Sequence, residues 1–333
     1  VWRWVLAAAL LGIALAWARR YGDPEPFRRL LAVPLPLIAA ITGLTLLNQA
    51  LFSARFALAL EQCGAPKLRQ WTWFRLTSVG QFLNLFVPQL GNVYRAYVLK
   101  RDYRIPYSLY GSGLFAFVWL DLVMGIVLAM GVIAVFEPEF RLGVFPALPV
   151  LSLLGFGLFM APFVAVRLLR WRAFGVRGSG QRLAQRAADV LALAGNAARK
   201  PRFLLQAFAL NWVMAAVQVA TIGLAFHSVG AHISFGKLML FQILVKLSNQ
   251  VVVTPGNLGL TELAYGMLAE AASNGIEHGI AVGLLTRTVG VAVVCATGLL
   301  LGGGAWLLRG RRQTLAAAES EGAAPPVSGS PPR

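Results

Sequence analysis

Two prolines stand in matched surroundings. Pro88 is followed by Gly91 and, seven positions after the proline, by Arg95; Pro255 is followed by Gly256, Gly259 and, again seven positions on, by Glu262. Amides and hydroxyls precede both breaks, Asn84 the first and Asn249, Gln250 and Thr254 the second. Proline removes a backbone donor and displaces the carbonyl four residues earlier, while glycine admits close approaches and unusual dihedrals. A helix broken in this way restarts with N–H groups suited to an anion such as phosphate. Arg95 adds a fork of donors matched to phosphate. Glu262 can pair with Arg287, bind a cationic head group or carry a proton. The predicted substrate-binding set is therefore Asn84, Pro88, Gly91, Asn92, Arg95, Pro255, Gly256, Asn257, Gly259 and Glu262. The structural alternative for the amides is polar glue between helices.

Four further ionisable residues lie in or beside apolar runs: Asp121, Lys246, Arg287 and Arg75. A charge at the centre of a bilayer costs about 2.5–3.5 kcal/mol on insertion scales, so such residues normally face a protein interior or a wet cavity. They are predicted to couple to substrate or to form structural ion pairs, with snorkelling to the interface as the alternative for Arg75.

The apolar setting is established by composition. Of 333 residues, 58% are hydrophobic and 13% charged, and the mean hydropathy is +0.67. A soluble surface of this size needs more polar residues than that. The formal charge of +17 sits mostly in short linkers between apolar runs, which fits the positive-inside rule rather than nucleic-acid binding. Cys63 and Cys295 are too far apart in sequence to suggest a disulfide framework, and His227, His232 and His278 lack metal-ligand spacing. No serine-nucleophile elbow, phosphate-binding loop or zinc-protease motif occurs, so no catalytic residue, metal or cofactor is predicted.

Positioning these residues requires an all-α polytopic membrane protein. Crossings are predicted at about 1–18, 33–59, 107–136, 145–169, 203–226 and 279–308, six in all, each near the roughly 20 residues a bilayer demands. The first is read as a membrane helix rather than a removed signal. Stretches 71–98 and 237–272 are interrupted at the prolines and are read as re-entrant hairpins, or alternatively as pairs of full crossings. The plan of crossing, broken hairpin, crossing occurs twice, in 33–136 and in 203–308. Linker charges place the two hairpins on opposite sides, which makes an inverted repeat with binding near the midplane. Residues 1–312 form one transmembrane domain, and 313–333 are a predicted disordered tail.

The linker 167–202 is strongly basic and predicted cytoplasmic, as is the C-terminus. Leu183, Ala187, Val190, Leu191 and Ala194 share one helical face within it. That face lies either along anionic lipid head groups or on the protein's own cytoplasmic side.

At the two broken motifs the chain resembles the lysylphosphatidylglycerol synthase transmembrane-region family of flippase-like proteins. Asn84, Pro88, Gly91 and Arg95 carry the first signature, with Gly91 and Asn92 where the family usually pairs glycines; Pro255, Gly256, Gly259 and Glu262 carry the second. The resemblance spans nearly all of 33–308. It implies handling of a membrane phospholipid or polyprenyl-linked molecule, and a prokaryotic plasma membrane location. The soluble aminoacyl-transfer domain of full-length synthases is not expected here. Translocation of a lipid or lipid-linked phosphate is the leading expectation. A small-solute or ion transporter, a lipid-modifying enzyme and an accessory protein are the alternatives.

Overall fold

A computed structural model describes residues 25–136, 138, 141–142, 145–175, 179–248, 260–271 and 275–322. The described elements are α1 (Glu25–Leu31), α2 (Leu35–Gln62), α3 (Gln70–Phe86), α4 (Leu90–Tyr103), α5 (Tyr107–Phe136), β1 (Arg141–Leu142), β2 (Phe145–Pro146), α6 (Ala147–Gly175), α7 (Ser179–Ala198), α8 (Pro201–Ser228), α9 (Phe235–Ser248), α10 (Leu260–Ala271) and α11 (Ile276–Gly322). The chain is an all-α polytopic membrane protein apart from the short β1–β2 ribbon, in which Arg141 pairs with Pro146 and Leu142 with Phe145.

Among the described residues, five helices are long and apolar enough to cross a membrane: Leu35–Gln62, Tyr107–Phe136, Ala147–Trp171, Pro201–Ser228 and Ile276–Gly302. They coincide with five predicted crossings, and the sixth, at 1–18, lies outside the described residues. The interrupted stretch 71–98 resolves into α3 and α4. The other, 237–272, contains α9 and α10, and the intervening 249–259 lies outside the description. Helix α11 continues to Gly322, past position 313 where the predicted tail begins.

Helices α2 and α8 are built alike. Each has 28 residues and begins beside a proline, Pro34 or Pro201, whose fixed φ suits a helix start. Each ends at a left-handed glycine, Gly64 at φ 106° and Gly230 at φ 82°. In both, the next N–H reaches back over the end of the helix: Ala65 donates to the Leu60 carbonyl and Ala231 to the Phe226 carbonyl, each at 3.0 Å. This satisfies carbonyls that a helix end otherwise strands.

The two helices pack on each other at the centre. Around them, α11 lies against α3 and α5 lies against α9. Helix α5 is the most enclosed span, with 61% of its apolar window buried, against 11% for α6. Leu153, Leu154, Phe156, Val164 and Leu168 on α6 are exposed, as suits a lipid-facing helix.

Helix α7, in the basic linker, packs on the protein itself. Ala188, Ala194, Ala197 and Ala198 are buried, the last three in one cluster with Trp119 of α5 and beside Phe159 and Phe163 of α6. The Trp119 indole N–H donates to the Leu158 carbonyl at 2.9 Å, tying α5 to α6 beneath it. Of the predicted face, Ala194 is in this cluster.

Candidate functional site

The α3–α4 break is held by the residues of the first motif. Helix α3 ends at Phe86, and α4 restarts after Gln89, whose φ is 68°. The Asn84 side chain reaches across the break and accepts the Gly91 N–H at 2.7 Å. One of the N–H groups predicted to serve an anion is therefore already occupied. Gly91 is required by contact: a Cβ there would overlap the Gly80 carbonyl of the facing helix.

Arg95 lies behind this hairpin. Its Nε donates to the Gly91 carbonyl at 3.2 Å and its Nη2 to Asn92 Oδ1. Its guanidinium sits 4.9 Å from the Phe56 ring centroid, and Tyr110 donates to the same Asn92 oxygen at 3.3 Å. Asn84, Pro88, Gly91, Asn92 and Arg95 thus do assemble, but around the turn. Asn84 lines the outer of the two cavities described next. Arg75 is half-buried early in α3 and lies away from the cavities.

Two adjoining cavities lie between the halves of the molecule. The inner, of about 320 Å³, is lined by α2, α5, α8, α9, α10 and α11, and the outer, more open one, of about 460 Å³, by α2, α3, α10 and α11. Thr45, Asn48, Phe52, Tyr265 and Thr286 belong to the walls of both. Gln218, Thr221 and Gln242 add polar surface to the inner cavity, and Gln49, Gln81 and Asn84 to the outer. The outer cavity also has an apolar edge at Leu85, Val291 and Val294, of which Val291 is exposed.

A buried ion pair stands at each cavity. Arg55 of α2 pairs with Asp121 of α5, with side chains only 8% and 7% exposed. The same Arg55 Nη1 donates to Asn211 of α8 at 2.7 Å, and the guanidinium lies 4.5 Å from the Phe117 ring centroid. Both members of the pair line the inner cavity. At the outer cavity, Arg287 of α11 lies 3.5 Å from Glu262 of α10, which is fully buried. Glu262 occupies the first turn of α10, where the helix dipole favours an anion. Removing one partner of such a pair typically costs 3–5 kcal/mol, because the other charge is left buried alone.

Asp121, Glu262 and Arg287 are therefore ion-pair residues beside a polar space. Lys246 lies on α9 with its side chain outside the description, and Pro255, Gly256, Asn257 and Gly259 lie outside the described residues altogether. Arg55 and Asn211 are absent from the predicted set. The available signal for Arg55 was a lone arginine within the span predicted at 33–59. Among the described residues no group of His, Cys, Asp and Glu is placed to hold a metal.

A polar cavity lined by both membrane-length and shorter helices, with one apolar edge, suits a ligand that is itself polar at one end and apolar at the other. No curated protein and no solved structure was found to match the chain. Residues 4–317 match the family model described as the lysylphosphatidylglycerol synthase TM region, and the chain is a lipid-handling membrane protein of that family.

Proposed function

We propose that the protein moves a lipid or lipid-linked phosphate between leaflets, with the head group crossing through the two cavities and the chains remaining in the bilayer. The observation that carries this reading is the outer cavity, which joins Arg287 and Asn84 to the apolar edge at Leu85, Val291 and Val294. A head group held there sheds little of its hydrocarbon's contact with lipid. Arg287 supplies the donors for a phosphate oxygen, and Glu262 keeps that charge tolerable when the site is empty. Arg95, placed behind the hairpin, maintains the break that aims Asn84.

The reciprocal packing of α11 on α3 and of α5 on α9, with the matched construction of α2 and α8, supports two inverted units that rock about a shared site. The family's name, which refers to a phosphatidylglycerol-derived lipid, favours the same substrate class. The basic 167–202 linker then faces the cytoplasm of a plasma membrane.

The test is a proteoliposome assay with a fluorescent phosphatidylglycerol and a membrane-impermeant quencher. The protein should raise the inter-leaflet rate at least tenfold over protein-free vesicles. A rate equal to that of empty vesicles, for every lipid tried, would overturn the reading.

A further inference from the structure

The inner cavity has a hydrogen-bonding bias that the outer one does not explain. Its three threonines, Thr45, Thr221 and Thr286, spend their hydroxyl protons on their own helices, donating to the carbonyls of Ile41, Val217 and Val282 at 2.8 Å each. Thr45 and Thr221 therefore turn only lone pairs toward the cavity, while Thr286 also shares a hydrogen bond with the Tyr265 side chain. Asn48 Oδ1 and Gln242 Oε1 are buried and have no hydrogen-bond partner among the described residues. Gln242 uses its amide hydrogens on the Gln218 oxygen, which leaves its own carbonyl as the free end. At the neighbouring wall, Gln49 donates to Ser78 and Thr297 at 2.9 and 3.1 Å, and its oxygen too is unpartnered among the described residues.

Buried acceptors without donors cost about 1–3 kcal/mol apiece, so this set is built for something that brings donors. Phosphate at neutral pH brings chiefly acceptors and does not match it. An ammonium group brings donors, but the carboxylates at the two cavities, Asp121 and Glu262, are already paired with Arg55 and Arg287, which leaves no net negative charge to offset a further cation. Uncharged hydroxyl groups meet the requirement. They donate to the carbonyl and threonine oxygens and accept from Arg55 Nε, which is buried and also unpartnered among the described residues. Phe52 and Tyr265 in the wall offer ring surface to the C–H faces of a polyol. The volume of about 320 Å³ holds on the order of ten waters, a space for one sugar ring rather than a chain of them.

We infer that the inner cavity is a head-group subsite for an uncharged polyhydroxylated moiety, a single sugar or comparable polyol carried on a lipid. This rests on the reading that the chain carries lipids, and it names the end of the lipid that enters first. Phosphate, where the lipid has one, stays at Arg287 in the outer cavity.

The test compares three labelled lipids in the same proteoliposomes: a diacylglycerol monoglucoside, phosphatidic acid and phosphatidylethanolamine. The monoglucoside should cross at least about fivefold faster than either of the others. Thr221→Val, which removes one acceptor and no contact between helices, should slow the monoglucoside about three- to tenfold. It should slow the other two less than the monoglucoside, so that the ratio of the rates falls. Asn48→Leu should act in the same direction. If phosphatidic acid or phosphatidylethanolamine crosses as fast as the monoglucoside, or Thr221→Val slows all three alike, the subsite assignment fails while lipid transport stands. If none crosses faster than in empty vesicles, it is the transport reading that fails.

Discussion

Asp121→Leu should lower the stability of the protein by about 3–5 kcal/mol, because Arg55 is then left buried without its counter-charge. Arg55 is enclosed by α2, α5 and α8 and retains only the neutral Asn211 oxygen and the Phe117 face as compensation. The loss is measured as monodisperse protein surviving a heating series in detergent. The double variant Arg55→Met, Asp121→Leu should recover most of it, since an apolar pair of similar volume fills the same space without a charge to desolvate. Equal survival of Asp121→Leu and the unmodified protein would contradict the pairing. A double variant weaker than the single one would show that Arg55 matters for another reason. If the pair also lines the path of the head group, the rescued double variant should remain folded and transport poorly, which separates the structural role from the functional one.

Arg287→Gln should reduce the crossing of a phosphate-bearing lipid about 10- to 100-fold. A hydrogen bond to a charged group contributes about 1.5–3 kcal/mol, and each 1.4 kcal/mol is a factor of ten. Since the change also strands Glu262, it is best made together with Glu262→Gln, which leaves a neutral pair in place of an ionic one. Arg287→Lys keeps the charge but loses the planar fork, and its rate should fall between those of the other two. Crossing of the phosphate-free monoglucoside should be insensitive to all three variants. Loss of both lipids to the same degree would assign Arg287 to the fold and not to the phosphate.

Hydropathy alone located α2, α5, α6, α8 and the apolar part of α11, because a membrane span must be long and apolar whatever its neighbours are. The proline at position 88 located the α3–α4 break for an equally local reason, the missing donor. The side on which each residue faces was not legible. Arg95 has the chemistry of a phosphate ligand, but the tight Gly80–Gly91 approach turns it toward Phe56 and Tyr110. Asp121 stood out as an acid in an apolar run. Its partner Arg55 did not, because it sits near the end of a predicted span, where arginine commonly snorkels. The amides Gln49, Gln218 and Gln242 resemble ordinary inter-helix glue in sequence. Only the packed structure shows that Gln242 spends its amide on Gln218 and keeps its own oxygen unpartnered at the inner cavity, while Gln49 stands at the outer one. That information lies in the packing of helices distant in sequence, which no local pattern encodes.

The central claim is that the space between the two halves is the path of the head group, and filling that space tests it most directly. Thr286 lines both cavities; its hydroxyl bonds to carbonyls of its own helix and shares one hydrogen bond with the Tyr265 side chain. Thr288, two positions on, is exposed on the same helix and serves as the control. The measurement is the inter-leaflet rate of fluorescent phosphatidylglycerol in proteoliposomes containing equal amounts of folded protein. Thr286→Trp should bring that rate down to that of protein-free vesicles while Thr288→Trp keeps the rate of the unmodified protein. Unimpaired transport by a folded Thr286→Trp protein would contradict the account.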